Sequence, residues 1–203
     1  MQLLLPESAL PAKLTLGSTK PMSENEYYAF CSANPNIRFE RSARGEIIIV
    51  PPAGFESDYR HANVVTQLGQ WARRDGRGKT FGPSAEFILP SSAAYSPDAA
   101  WVSNKKLGKL IKEQKRKFPP LVPEFIVEVM SPSDRLKAAQ EKMEDWMSNG
   151  VELAWLIDGD RETVYIYRAS QPEPEKRTGE TMLSGEGPIK GFKLDLREIW
   201  AGL

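Results

Sequence analysis

Three carboxylates and one lysine form the most reactive combination in this sequence. In LVPEFIVEVMSPSD (121–134), Glu128 stands among the apolar residues of a predicted buried strand. Asp98 follows a proline at the start of another apolar strand, Glu40 lies in the strand IRFER, and Lys142 lies on the helix predicted after Glu128. Acids on neighbouring strands beside a lysine suit Mg²⁺ and phosphate chemistry. Mg²⁺ takes carboxylate oxygens at about 2.1 Å, and a lysine can orient water or stabilise charge on a phosphate.

Each of these residues also has a simpler explanation. An aspartate after a proline, as at Asp98, is typical of a turn or a strand start. Lys142 taken alone is typical of a solvated helix position, and Glu40 of a cross-strand ion pair. The structural alternative for Glu128 is a salt bridge to Lys142, which would compensate the buried charge without any metal.

The composition excludes several other chemistries. Among 203 residues there is one histidine, His61, and one cysteine, Cys31, so neither a His/Cys zinc site nor an internal disulfide can form. No GxSxG, GxxxxGK[ST] or GxGxxG motif is present. The net charge of zero argues against non-specific coating of nucleic acid. Without a long apolar run or a recognisable signal peptide, we expect a cytoplasmic protein that does not span a membrane.

The sequence pattern predicts an α/β fold in which helices flank a mixed β-sheet. Residues 1–21 read as a poorly ordered N-terminal arm and residues 22–203 as a single domain. The predicted elements are a helix capped by Ser23, a hairpin at IRFER and GEIIIVPP, a helix from about Asp58 to Arg74, short strands around KTFG, AEFIL and DAAWV, a helix capped by Ser133 and running to about Ser148, a hairpin at VELAWLID and TVYIYR, a solvated loop at SQPEPEKRTGE, and a final strand or helix at FKLDLREIW.

Strand alternation assigns the side chains of the central strand to two faces. One face carries Glu124, Ile126, Glu128 and Met130, and the other carries the apolar residues between them. The tryptophans at apolar-periodic positions are predicted to lie in the core: Trp71, Trp146 and Trp155.

Pro97-Asp98, followed by a strand that ends near Glu128, resembles the PD-(D/E)XK motif of restriction-endonuclease-like nucleases. Further segments extend this resemblance over roughly residues 22–200: IRFERSARGEIIIVPPAGFES, FILPSSAAYSPDAAWVS, FPPLVPEFIVEVMSPSD, EKMEDWMSNGVELAWLID and LSGEGPIKGFKLDL. Together they resemble the Uma-two family of restriction-endonuclease-like proteins.

The resemblance implies a restriction-endonuclease-like core, a divalent cation (Mg²⁺ or Mn²⁺) and hydrolysis of DNA phosphodiester bonds. By position it implies that Asp98 and Glu128 hold the metal and that Glu40 completes the site. The motif would place its lysine two residues after Glu128, where this chain has Met130. The resemblance assigns the lysine's role to Lys142 instead.

Several weaker candidates surround this site. Glu56, in the loop before the second helix, could support the metal from outside its direct ligands. His61 reads as a surface or helix-start histidine, and a contact with substrate is the weaker alternative. The basic segment 104–117 is typical of a solvated helix face, but beside a nuclease site it predicts contacts with DNA phosphates. Its candidate contact residues are Lys105, Lys106 and Lys109.

The alternative function is a catalytically weak or inactive protein on a nuclease fold, which would bind nucleic acid or another protein. Met130 in the usual place of the lysine and the zero net charge favour this alternative. For either function a homodimer is expected, since a small domain leaves sheet edges open and two active sites suit the cutting of two strands.

Overall fold

Two large β-sheets and the helices packed on them form the fold. The structure, a computed structural model, describes the backbone of residues 12–14 and residues 22–203. The strands are β1 Ala12–Leu14, β2 Arg38–Arg41, β3 Ile47–Val50, β4 Gly78–Phe81, β5 Phe87–Ile88, β6 Ala94–Tyr95, β7 Ala99–Ser103, β8 Phe125–Val129, β9 Leu153–Asp158, β10 Thr163–Arg168, β11 Glu175–Thr178, β12 Met182–Ser184 and β13 Lys193–Asp195. The helices are α1 Glu24–Ser32, α2 Phe55–Asp75, α3 Asn104–Leu107, α4 Leu136–Ser148 and α5 Arg197–Ala201, with 3₁₀ turns at Gln114–Arg116 and Gly187–Ile189.

The central sheet is mixed, as the sequence predicts. Its order is β11-β10-β9-β8-β7-β4, with β8 and β9 parallel and the other neighbours antiparallel. The parallel pair needs a crossover connection, and α4 supplies it. A second sheet has the order β1-β3-β2-β6-β5, and β12 pairs with β13. The second sheet matters for the site because β2 carries Glu40.

The two faces of the central sheet are buried by different helices. Phe125, Val127 and Val129 of β8 pack in the core beneath α2 and α5. Ile126 and Met130 point the other way and pack with Trp146 of α4. The predicted alternation along β8 is therefore confirmed. Burial on both faces is also what makes a carboxylate at Glu128 require a partner.

Most predicted elements occur, and the differences have local causes. Ser23 does cap α1, in a capping box with Glu26. The second helix begins at Phe55 rather than Asp58. The fourth helix begins at Leu136 rather than after a Ser133 cap, because Ser133 Oγ is engaged with Ser131 Oγ at 3.0 Å.

The stretch SQPEPEKRTGE is not wholly a loop, since β11 forms within it as the edge strand beside β10. Its sequence pattern is polar because an edge strand leaves its outer groups in water, and both its lysine and its last threonine are exposed.

The predicted N-terminal arm lies mostly outside the described residues. Within it, only the backbone of β1 is described, and it pairs antiparallel with β3. Among the residues that the structure describes, no helix combines the length and the apolar character needed to cross a membrane.

Candidate active site

Asp98 and Glu128 are brought side by side by strand pairing. Ala99 of β7 pairs with Val127 of β8 in an antiparallel register, so the preceding and following residues, Asp98 and Glu128, are neighbours at the end of the sheet. Asp98 is buried, and its Oδ2 accepts the backbone N–H of Val129 at 2.8 Å. One backbone bond thus fixes this carboxylate beside β8.

Lys142 joins two sheets through its ammonium group. Its Nζ lies 3.0 Å from Glu128 Oε1 and 3.0 Å from Glu40 Oε1. Glu40 Oε1 also accepts the backbone N–H of Ser96 at 3.1 Å. The helix α4, a strand of the central sheet and β2 of the second sheet therefore meet at one charged group.

An aromatic pair closes one side of this group. Trp146 donates its indole N–H to Glu128 Oε1 at 3.0 Å, one helical turn after Lys142. The ring of Tyr95 lies 5.6 Å from Lys142 Nζ, centroid to atom, and packs against the Trp146 ring. The sequence correctly predicts Trp146 as buried, but its hydrogen bond to Glu128 could not be read from periodicity.

His61 was expected at the surface, and this expectation is wrong. The histidine is buried, and its Nε2 lies 3.4 Å from Asp98 Oδ2. The atoms are near enough for electrostatic attraction but are not aligned as a hydrogen bond, and Nε2 has no other hydrogen-bond partner among the described residues. The sequence does indicate this burial, because His61, Val64 and Leu68 follow the i, i+3, i+7 spacing of a buried helix face.

Burial dominates the electrostatics of the two neighbouring acids. Burial, opposed by the attraction of Lys142 and reinforced by the charges of Asp98 and Glu40, raises the pKa of Glu128 to about 7. Burial likewise raises the pKa of Asp98, opposed by His61 and by the Val129 N–H.

Lys142 keeps its proton in this environment. Burial alone would lower the pKa of Lys142, but the carboxylates of Glu128, Glu40 and Asp98 outweigh it and raise that pKa well above its usual value. Lys142 is therefore a permanent positive charge beside the carboxylates of Glu128 and Glu40.

Glu56 belongs to a different ion-pair group. Its Oε1 lies 3.0 Å from Arg60, one turn along α2, and Arg60 also pairs with Asp160 at 2.9 Å. The side chain of Glu56 is about half exposed. Glu56 thus pairs within α2, and Arg60 links this ion-pair group to the β9–β10 turn and not to the Lys142 group.

The basic segment begins at the opposite end of β7 from Asp98. Ser103 follows Asp98 by five residues, which corresponds to about 17 Å along a strand. Lys106 donates to the carbonyl of Val122 at 2.8 Å and approaches Glu124, whereas Lys105 and Lys109 are exposed. The buried Glu124 has its own partners here, since both its oxygens accept hydrogen bonds from Ser103.

The donor atoms present would supply only part of the ligand set of a hard cation such as Mg²⁺. Over residues 22–203 no three His, Cys, Asp or Glu side chains are grouped as a ready metal site. Two adjacent carboxylates with raised pKa, on Asp98 and Glu128, are nevertheless the protein contribution that Mg²⁺ commonly takes, with water and phosphate completing its shell. Met130, in the motif's usual lysine position, is buried in the core.

The fold, a mixed sheet flanked by helices, is that of the restriction-endonuclease-like nucleases. The chain belongs to the Uma-two family, whose model, described as "Putative restriction endonuclease", matches residues 24–197. It is similar in fold to the crystal structure of "a putative nuclease belonging to DUF820" from Anabaena variabilis, with a TM-score of 0.71 and 17% sequence identity over 89% of this chain and 98% of that one. No curated protein matches the sequence.

Proposed function

We propose that this protein is a Mg²⁺- or Mn²⁺-dependent DNA endonuclease. The observation that carries the proposal is the meeting of Glu40 and Glu128 at Lys142 Nζ, both at 3.0 Å, with Asp98 on the adjacent strand. Structural ion pairs seldom gather three acids around one lysine in a buried place, because the excess negative charge is costly. Such an excess of negative charge is expected at a site that binds a metal cation together with a phosphate.

In the proposed mechanism, the carboxylates of Asp98 and Glu128 would hold the metal ion. When bound, that ion would supply Lewis acidity and a more acidic water at neutral pH. The Val129 N–H and the Trp146 N–H orient the two carboxylates. Lys142, held protonated between Glu40 and Glu128, orients the attacking water or stabilises the charge that develops on the phosphate.

The remaining parts of the proposal concern the substrate and the assembly. DNA phosphates some distance from the cleaved bond would contact the basic segment at Lys105, Lys106 and Lys109, and Glu56 would have a supporting role through α2. A cytoplasmic location suits the free, half-buried Cys31, since a reducing compartment keeps thiols unpaired. A homodimer would present two sites to two strands, and light scattering would then give about twice 22.7 kDa.

One observation favours the alternative, a nuclease-fold protein that binds without cutting. Lys142 already compensates Glu40 and Glu128, so the charges are partly satisfied without a metal. In that case the group would be a structural ion-pair network, and loss of Asp98 would leave nucleic-acid binding unchanged.

The first test is the nicking of supercoiled plasmid with Mg²⁺ or Mn²⁺ by the wild type, Asp98→Asn and Glu128→Gln. We expect metal-dependent cleavage by the wild type and a loss of at least about 100-fold in both variants, because each removes a charge that contacts the reacting groups. Glu124→Gln is the matched control, since it makes the same change on the same strand segment at the far end from Asp98.

The plasmid result separates the two functions. Equal cleavage by the wild type and both variants would indicate a contaminating nuclease and remove support for the site. No cleavage by the wild type, together with retained DNA binding by Asp98→Asn, would favour the binding protein.

A further inference from the structure

A cavity lies away from the acids of the candidate active site, at the other end of β7. Its volume is about 760 Å³, and it is lined by β4, the turn before β5, α3 and the segment 115–121. This volume is within the range of pockets that hold a small organic ligand. The basic segment of the sequence, which the candidate active site does not use directly, forms one of its walls.

The walls of this cavity are mainly aromatic and aliphatic. Phe81, Phe118 and Tyr28 contribute rings, and Leu107 and Leu110 contribute aliphatic surface. The Tyr28 and Phe118 rings meet edge to face, with centroids 5.1 Å apart. Aromatic walls of this kind favour a flat, aromatic guest.

The rim of the cavity is cationic. Lys79 lies on the same face of β4 as Phe81, and the segment 115–121 contributes Lys115 and Arg116. All three side chains are exposed, and across the described part of the chain none of them has an ion-pair partner. Since the whole protein has zero net charge, three unpaired cations around one cavity are a local concentration of positive charge.

One buried acid lies in the cavity wall. Glu86 Oε1 accepts the hydroxyl of Tyr27 at 2.7 Å. The other oxygen, Oε2, has no hydrogen bond to any described residue. A long alkyl chain would gain nothing from this carboxyl group, whereas a ring with N–H or amino groups on its edge could donate to it.

We propose that this cavity binds a nucleotide, with its base between the aromatic walls and its phosphate at the cationic rim. The base edge reaches Glu86 Oε2, and the phosphate pairs with Lys79 and Arg116. The two possible sources of this ligand are a free mononucleotide and one unit of a bound DNA strand. The second source rests on the proposed endonuclease function, and the first does not.

The cavity is linked to the candidate active site through one aromatic contact. Phe87 lies in its wall and meets the Trp146 ring edge to face, with centroids 6.4 Å apart. Trp146 in turn donates to Glu128. The rings of Phe87 and Trp146 would therefore lie between a nucleotide in the cavity and the Glu128 carboxylate of the proposed active site.

The experiment is calorimetric titration of the full chain at pH 7 in EDTA, with adenosine 5′-monophosphate (AMP), adenosine, ribose 5-phosphate and a five-nucleotide DNA strand as probes. We expect AMP to bind more tightly than either of its fragments. Lys79→Gln combined with Arg116→Gln should weaken AMP binding about tenfold or more, because charge-assisted contacts to phosphate are lost. Lys193→Gln, an exposed lysine on β13, is the matched control and should bind AMP as the wild type does.

The probes distinguish the sources and the proposals. Tighter binding of the DNA strand than of AMP assigns the cavity to a unit of the substrate, and the reverse order assigns it to a free nucleotide. The proposal is overturned if AMP does not bind at millimolar concentration, binds no better than ribose 5-phosphate, or binds the double variant equally. Because EDTA removes metal, and Asp98→Asn and Glu128→Gln should bind AMP as the wild type does, a failed plasmid assay leaves this test intact.

Discussion

At the scale of single residues, Lys142 is the residue that connects the acids of the candidate site. A lysine two residues after Glu128 on the strand would share its face, but in this chain Met130 fills that place and packs in the core. The lysine of α4 approaches from above the sheet instead and reaches both Glu128 and Glu40. A lysine on a helix therefore contacts two acids on strands, one of them fourteen residues before it in sequence and the other 102 residues before it.

Lys142→Met removes the cation and leaves two buried carboxylates facing each other. Without metal, we expect the free energy of unfolding at pH 7 to fall by about 3 kcal/mol, because an uncompensated buried charge is costly. Mn²⁺ should restore more stability to this variant than to the wild type, since a cation then replaces the ammonium group. The measurement is urea unfolding in EDTA and in Mn²⁺, alongside plasmid cleavage, which should be lost.

Lys137→Met is the control for this comparison because it makes the same change at an exposed position of α4. Its unfolding should match the wild type in both solutions. If Mn²⁺ stabilised Lys142→Met no more than the control, the metal would not replace the ammonium group, and if it stabilised neither protein, the carboxylates would not be metal ligands.

At the scale of elements, β4 depends on a residue without a side chain. A Cβ at Gly78 would lie 2.5 Å from the carbonyl oxygen of Val102 and still closer to the indole ring of Trp101. Trp101 is buried between the sheet and α2, so it has little room to move. Glycine at this position is what lets β4 pair closely with β7.

Gly78→Ala should therefore destabilise the protein by about 3 kcal/mol, as overpacking in a close-packed core does. Gly69→Ala is a suitable counterpart, since a Cβ there meets nothing within 4 Å and the residue lies within α2. It should stabilise the protein by about 0.5–1 kcal/mol through its better helix propensity. Thermal and urea unfolding of both variants test this, and equal stability of the two would contradict it.

Elements with a strong local pattern are those that the sequence predicts well. The alternation of β8, the cap at Ser23 and the β9–β10 hairpin follow from local rules and are observed. The start of α4 was predicted wrongly because Ser133 Oγ had a nearer partner in Ser131. The strand β11 was missed because its pairing with β10, and not its own composition, makes it a strand.

The candidate site is likewise predicted from the sequence only in part. Residue types identify Asp98, Glu128 and Lys142 as candidates, but their meeting depends on strand register and on the position of α4, which are tertiary. The residues alone leave Glu40 open between a cross-strand ion pair and the site, and only the resemblance predicts it at the site, because Glu40 comes from a different sheet. His61 is buried although Asp58 and Arg60 stand beside it, because its spacing to Val64 and Leu68 places it on the inner face of α2.

At the scale of the whole molecule, buried acids gather between the two sheets. Glu86 and Glu40 lie close enough for the charge of each to affect the other, and Glu86 is also near Arg38 and Arg41. Burial raises the pKa of Glu86 to about 7 from its usual 4.5, the Tyr27 hydrogen bond opposes the rise, and Glu40 adds to it. The folded state therefore holds this proton more tightly than the unfolded chain does.

The sign of the resulting pH dependence follows from this difference. The stabilisation from Glu86 is complete below about pH 4.5 and is lost as the pH rises through about 7, a change of up to about 3 kcal/mol. Glu86→Gln keeps an acceptor for the Tyr27 hydroxyl but cannot ionise. It should unfold with a flatter pH profile and be more stable than the wild type at pH 8, with the advantage shrinking toward pH 4.5. Urea unfolding in EDTA across this range measures the effect, with the exposed Glu141→Gln as control. Parallel profiles for the wild type and Glu86→Gln would mean that Glu86 ionises in the folded protein as it does in the unfolded chain.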